Sequence, residues 1–323
     1  MSARLTDPGA QTARHTVTAA AAPETVYDLL AAAEYWPVAF TPTIHVEVLE
    51  RTESAERLQI WALAGDTVKT WTSRRDLDRA GLRIGFAQEV PQAPIAAMSG
   101  AWVLARTPTG AAELVLEHSY RAAGDDPEQL AWITRVTDQN SRAELANIKA
   151  LAESAANRAE FVLSFEDTVE VAGSAADAYE FLYRAQQWPA RLPHVSRMQL
   201  AEDRPGIQVM EMDTVTAAGD RHTTKSVRIC FDGERIVYKQ TVLPPLLAAH
   251  TGQWRITPAP ETGGVAVSSQ HTVVIRPESV ARILGAGATV QDAREFARRA
   301  LSGNSQITLE HAKQFAETAG AKQ

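Results

Sequence analysis

The residues best suited to chemistry in this chain fall in one stretch, 66–75, which reads DTVKTWTSRR. In an extended strand successive side chains alternate between faces, so Trp71, Ser73 and Arg75 share one face and Thr72 and Arg74 the other. One face then carries a flat aromatic, a hydroxyl and a permanent cation. A packed core selects against that set, because burying an unpaired guanidinium is costly. A wet concave pocket suits it: the indole supplies a wall, the hydroxyl a donor and acceptor, the guanidinium a fixed positive field. The plainer reading makes Trp71 a core residue and Arg75 an edge-strand charge that reaches solvent, and the stretch taken alone favours it.

The elements that must position these residues belong to a soluble globular chain. At 323 residues it has room for two ordinary domains, and its 45% apolar and 22% charged content is that of a globular protein. A net charge of −7 argues against a nucleic-acid or anionic-membrane partner. The single cysteine, Cys230, excludes a disulfide framework and a thiolate metal cluster. No apolar run approaches the roughly 18 residues of a membrane span. Met1 to Arg14 has neither an apolar core nor a transit-peptide bias and reads as a short frayed tail, so a cytoplasmic location is expected.

The chain is written twice. Residues 16–37 align with 168–189 without a gap at an offset of 152, bringing Thr16, Val17, Tyr27, Leu30, Trp36 and Pro37 onto Thr168, Val169, Tyr179, Leu182, Trp188 and Pro189. The same offset carries Gly81 onto Gly233, Gln88 onto Gln240, Gly100 onto Gly252 and Trp102 onto Trp254. Further on, NSRAEL at 140–145 matches NSQITL at 304–309, with Lys149 onto Lys313 and Glu153 onto Glu317. The offset there has grown to 164, so the second copy holds about a dozen extra residues. The two copies run over 1–158 and 159–323. No Pro/Gly/Ser linker separates them, so the two domains are expected to dock.

Within one copy, residues 14–20 read as a strand. Pro23 and Glu24 open a short amphipathic helix over 23–34, and Trp36-Pro37 closes it. Six segments then alternate as strands: 45–51, 56–63, 67–77, 82–90, 97–107 and 112–121. Asp126 and Pro127 start a long helix that runs to about 156. In the second copy Gly285-Ala-Gly287 interrupts the final helical region. A curved sheet wrapping one amphipathic helix can leave a cavity between them.

Other chemistries find little support. None of the eight histidines forms an i, i+2 or i, i+4 pair with another, and no HExxH occurs, which argues against a metal site. Gly285-Ala-Gly287 lacks the third glycine of a dinucleotide loop, and no G-x-S-x-G is present. On the strand 112–121, Leu114, Leu116, His118 and Tyr120 share a face; the matching strand holds His271. A lone histidine on an apolar face is most often a satisfied core residue, whereas in a cavity wall His118 becomes a general acid/base. Trp36, Met98 and Trp102 are core residues by default. Asn140 and Asn304, at matched helical positions, either face solvent or reach into the cavity.

The order of elements, the Trp-Pro after the first helix, the W-T-S-x-R strand and the Asn-Ser-Arg of the last helix together resemble the polyketide aromatase/cyclases, helix-grip proteins related to the START fold. The resemblance covers nearly the whole chain, once per copy, and matches the two-domain members of bacterial type II systems. It implies an α+β fold of two tandem helix-grip domains, each a curved antiparallel sheet around a long C-terminal helix. It also assigns Trp36, Trp71, Met98 and Trp102 to a pocket wall, Ser73 and Arg75 to a reacting polar pair, and Asn140 to a hydrogen-bonding role. Trp188, Trp254, His271 and Asn304 are the counterparts in the second copy. The family binds a poly-β-ketone carried by acyl carrier protein, works beside other synthase subunits, closes the first ring by aldol condensation and dehydrates it. Two-domain members are associated with chains already reduced at one ketone that close between carbons 7 and 12. The tyrosine acid/base often found in such pockets has no counterpart around Thr41–Thr43, which leaves Tyr120 or His118 as proton donor.

At offset 152 the second copy places Thr223, Lys225 and Val227 where the first has Trp71, Ser73 and Arg75. Either Lys225 gives the second cavity a different polar set, or a one-residue slip restores Ser226 and Arg228. The first domain is expected to carry the main chemistry. Aldol closure and loss of water are redox-neutral, so no cofactor is needed. Arg75 is too basic to accept a proton and acts as a clamp on the developing enolate or alkoxide; Arg75→Ala should then abolish regiospecific closure with the fold intact. The rival reading, a non-catalytic START-like carrier of a hydrophobic small molecule, shares the cavity but has no use for Ser73 and Arg75 on its wall. A structural protein whose cavities are filled by side chains has no void at all.

Overall fold

A computed structural model describes residues 9–154, 158–215, 221–259, 261 and 263–320. The chain divides into two compact units, Met1–Arg158 and Ala159–Gln323. In the first, β1 (Gln11–Ala19) leads into α1 (Pro23–Ala31) and α2 (Trp36–Ala39). Then come β2 (Thr43–Arg51), β3 (Ala55–Ala64), β4 (Thr67–Asp78), β5 (Arg83–Gln88), β6 (Ile95–Arg106), β7 (Ala112–Ala122) and α3 (Pro127–Glu153). All seven strands form one antiparallel sheet in the order β1-β7-β6-β5-β4-β3-β2.

The second unit repeats the plan. After α4 (Arg158–Phe161) it runs β8 (Val162–Val171), α5 (Ala175–Tyr183), α6 (Trp188–Arg191), β9 (Val195–Arg204), β10 (Ile207–Val215) and β11 (Arg221–Phe231). It continues with β12 (Arg235–Val242), β13 (Leu247–Ala259), β14 (Gly264–Ile275), α7 (Pro277–Leu284) and α8 (Val290–Gly320), the strands ordered β8-β14-β13-β12-β11-β10-β9. The fold is the α+β helix-grip arrangement implied by the resemblance. No helix among the described residues is long and apolar enough to cross a membrane.

Two expectations need adjusting. Of the tail assigned to Met1–Arg14, residues 1–8 lie outside the described residues, and Gln11–Arg14 already pair with β7. Trp36-Pro37 does not close α1, which ends at Ala31; it opens a further helical turn, with Pro37 in the first turn, where a missing N–H costs nothing. The start of α3 follows its capping signal: the Asp126 carboxylate accepts from the N–H of Glu128 at 2.8 Å, and Pro127 sits beside it.

The duplication reaches single hydrogen bonds. Glu153 near the end of α3 accepts from the Ala20 N–H at 2.9 Å, and Glu317 in α8 accepts from the Ala172 N–H at 2.9 Å. Both tie the last helix to the turn after the first strand. Above this tie the C-terminal half of α3 packs Leu145, Ile148 and Ala152 onto Leu58, Ile84, Trp102 and Leu114 of the sheet. Burying each such leucine or isoleucine contributes about 1.5–3 kcal/mol. The N-terminal half of α3 is more polar toward the sheet, and there the two layers part.

Candidate active site

Between the sheet of the first unit and the N-terminal half of α3 lies a cavity of about 180 Å³. Trp36, Trp71, Ser73, Arg75, Met98, Trp102, His118 and Asn140 all line it. Alternation along β4 turns Trp71, Ser73 and Arg75 the same way. Phe86 lies over Gly100, where a Cβ would sit 2.5 Å from its ring and 2.0 Å from the Glu117 carbonyl oxygen; no side chain larger than hydrogen fits there. The aromatic wall therefore rests on a bare stretch of backbone.

Arg75 neither faces solvent nor stands free. Its Nε and Nη2 donate to Glu56 Oε2, Nη1 donates to the Leu30 carbonyl at 2.8 Å, and Nη2 donates to the Ala31 carbonyl at 2.8 Å. Those carbonyls end α1, the negative end of its dipole. The guanidinium also lies over the Trp36 ring at 4.8 Å, and the Trp36 indole N–H donates to the same Leu30 carbonyl. Burial pulls the Arg75 pKa below its ordinary value, and the Glu56 carboxylate opposes that shift in part. Four of its five N–H groups are engaged, which leaves one Nη1 hydrogen for the cavity. Ser73 donates to the Ala87 carbonyl at 3.1 Å, so only its lone pairs remain available. The expectation of a freely reacting pair is corrected accordingly: both side chains hold the sheet to α1 and offer the cavity a field and a few hydrogen-bonding positions.

The proton donors change as well. Tyr120 is fully buried with Ala122 and Ile133, its hydroxyl donates to Thr134 Oγ1 at 3.1 Å, and it is not among the cavity-lining residues. It is set aside as an acid. His118 does line the cavity, packed edge-on against Phe86. Its Nδ1 is buried without a hydrogen-bonding partner among the described residues, and desolvation pushes the imidazole down to about 4. From α3, Thr137, Asn140, Ser141 and Glu144 face the same space. Glu144 went unnoticed in the sequence. It makes no ion pair or hydrogen bond among the described residues, and desolvation pushes its carboxyl up to about 7. The signal was present: Glu144 stands four residues after Asn140 and seven after Thr137, one stripe of a helix. It also falls where the second copy has Thr308.

In the second unit the strand slip is real. Ser226 and Arg228 pair with Gln240 and Tyr238, as Ser73 and Arg75 pair with Gln88 and Phe86. Lys225 therefore lies on the opposite face of β11 from Ser226 and Arg228, and its assignment to the pocket is corrected. Arg228 repeats the docking of Arg75, donating to the Leu182 carbonyl at 2.5 Å over the Trp188 ring. Gln208 replaces Glu56 opposite it. Trp188 and Trp254 are buried in the core, 6.4 Å apart. His271 is satisfied on both sides: Nδ1 meets the Tyr238 hydroxyl at 2.9 Å and His250 Nε2 at 3.0 Å, and Nε2 meets Ser305 Oγ at 2.6 Å. The neighbour of Asn304, not Asn304 itself, makes the contact to His271. The inserted α7 joins Leu246, Leu247, Ala293 and Ala297 in an apolar cluster. By the repeat, Leu246 and Leu247 correspond to Pro94 and Ile95, which line the cavity in the first unit. Among the described residues no group of three or more His, Cys, Asp or Glu side chains is arranged to hold a metal ion.

A duplicated helix-grip fold with an aromatic cavity bearing an acid, an imidazole and a guanidinium defines a two-domain protein of the START-like class. Comparison with known proteins narrows this. Residues 162–317 match the family described as polyketide cyclase/dehydrase and lipid transport. The granaticin polyketide synthase bifunctional cyclase/dehydratase of Streptomyces violaceoruber is 42% identical over 98% of this chain and 97% of its own. The actinorhodin polyketide synthase bifunctional cyclase/dehydratase of Streptomyces coelicolor is 43% identical over 95% and 98%. The crystal structure of the di-domain ARO/CYC BexL from the BE-7585A biosynthetic pathway superposes with a TM-score of 0.85 at 48% identity, covering 95% of this chain and 99% of that one. The chain belongs to the polyketide synthase bifunctional cyclase/dehydratases, and it is an enzyme of that class.

Proposed function

We propose that this enzyme takes a ketoreduced poly-β-ketone held on acyl carrier protein in a type II polyketide synthase, closes its first ring between carbons 7 and 12, and dehydrates the ring to an aromatic. It would act in the cytoplasm beside the other synthase subunits, need no cofactor, and use the 1–158 domain for chemistry and the 159–323 domain as support. The observation that carries this reading is the meeting of Glu144, His118 and Arg75 in one aromatic-lined cavity.

Indole walls select one folded conformation of a chain that otherwise samples many, a proximity effect. A carboxyl pushed up to about 7 is poised to take and return a proton near neutral pH. Glu144 carboxylate removes a proton from the methylene between two ketones, and the resulting enolate attacks the target carbonyl. The His118 Nε2–H donates to the new alkoxide. In the second step His118 takes the remaining α-proton and Glu144 returns its proton to the departing hydroxyl, which leaves as water. Arg75 stabilises the oxyanion through its field and its remaining Nη1 hydrogen, with Asn140 and Ser73 as orienting partners.

The test is reconstitution with a minimal synthase and ketoreductase, with and without this protein. A shift of product toward one ring-closed, aromatised compound supports the reading. An unchanged product distribution argues for the carrier alternative.

A further inference from the structure

We propose that His15, held by Asp138, forms a proton relay that exchanges a proton with His118 through one bridging water. The inference rests on the functional reading above but concerns residues outside the cavity. His15 lies on β1 and faces α3; the register sets it opposite Leu116, diagonal to His118 on the same inner face. Diagonal neighbours in an antiparallel pair have Cα atoms about 7–8 Å apart, a span that two imidazoles and one water fill. The Nδ1 atoms of His15 and His118 are both buried without a partner among the described residues, a costly arrangement in a protein interior and one that a shared water removes. On its other side His15 Nε2 meets Asp138 Oδ1 at 2.8 Å, and Asp138 is about half exposed.

The groups facing His15 are Asp138 and Arg142 from α3 and His118 from β7. Arg142, and after it His15, holds the Asp138 carboxyl down to about 2, so the outer end of the relay is a fixed anion. That anion holds the His15 ring through Nε2 and leaves Nδ1 turned inward. When His15 carries both ring protons, it gives the Nδ1 proton to the water as the water gives one to His118 Nδ1 and His118 releases Nε2–H to the alkoxide. Each N–H or O–H that forms matches one that breaks. The dehydration step runs the relay in reverse, and every group returns to its starting state with one water lost from substrate. The arrangement also answers a difficulty: an imidazole pushed down to about 4 cannot itself store a proton near neutral pH, but it can pass one on.

The test measures initial rates of ring product with His15→Gln and Asp138→Asn in the reconstituted system, with pH profiles, solvent deuterium isotope effects and added imidazole. Both variants are expected to lose tenfold or more in rate, to show a larger isotope effect, and to regain rate with imidazole. Wild-type rates and isotope effects in both variants, or a loss that imidazole leaves untouched, overturn the relay. A wild-type protein that forms no ring product in the same assay overturns the functional reading instead.

Discussion

Glu56 and Arg75 face each other across β3 and β4, and neither side chain reaches solvent. Glu56 also accepts from Arg51 Nε at 2.7 Å, so one buried carboxylate joins the sheet edge to the guanidinium that docks on α1. Removing one member of a fully buried pair costs about 3–5 kcal/mol; losing Arg75 leaves Glu56 with the half-exposed Arg51 alone, so the cost here lies at or below the lower end of that range. Arg75→Ala is therefore expected to lower the melting temperature as well as abolish cyclisation, contrary to the sequence-based expectation of an intact fold. Thermal unfolding of the full chain checks it; an unchanged melt would show that the pair carries no structural weight.

Glu144→Gln is expected to leave the fold intact and to remove the limb of the rate profile near pH 7, with a loss of about 10²-fold or more in the ring-forming rate. Glutamine keeps the shape and polarity of the side chain and removes the proton transfer. A profile that keeps its limb near pH 7 in the variant assigns that limb to another group.

How much of this could be read in the sequence depended on the range of the forces involved. The duplication, the element order and the shared face of Trp71, Ser73 and Arg75 follow from periodicity, which local spacing records. What Arg75 does with its face did not follow, because Glu56 and the carbonyls of Leu30 and Ala31 reach it only through the fold. Tyr120 and His118 are identical by strand parity, yet α3 passes close enough to Tyr120 to engage its hydroxyl and stands away from His118. Glu144 was hidden by charge: an acidic residue on a long helix reads as a solvent-facing one until the sheet beneath is known to curve away. The one-residue slip of β11 was legible only as an alternative. It is set by the turn after the strand, where Phe231 pairs with Arg235, one residue tighter than Asp78 with Arg83.

The two titratable groups of the cavity affect stability with opposite signs. The folded pKa of Glu144 is raised, so its contribution is present below the unfolded value near 4.5 and is lost as pH rises through about 7. The folded pKa of His118 is depressed, so its contribution is present above 6.5 and is lost as pH falls toward about 4. Each is worth at most about 3 kcal/mol, at 1.36 kcal/mol per unit. In the wild type they nearly cancel between pH 4.5 and 6.5. Glu144→Gln should then become more stable with rising pH over that range, and His118→Asn less stable. Melting temperatures of the three proteins across the range measure this; parallel curves would mean that neither group is desolvated.

Arg228 repeats Arg75 without its carboxylate. Its Nη1 is buried and without a partner among the described residues, and Gln208 stands where the first unit has Glu56. Burial lowers its pKa with no ion pair at hydrogen-bonding distance among the described residues to oppose it. An unpaired buried guanidinium is a net cost that an apolar side chain of similar length removes, whereas the same exchange at Arg75 leaves the buried Glu56 with only the half-exposed Arg51 as counter-charge. Arg228→Met is thus expected to melt at or above the wild-type temperature, and Arg75→Met several degrees below it. Equal losses in the two variants would mean that Arg228 holds a partner as strong as Glu56, and the second unit would then have to be read as a site in its own right.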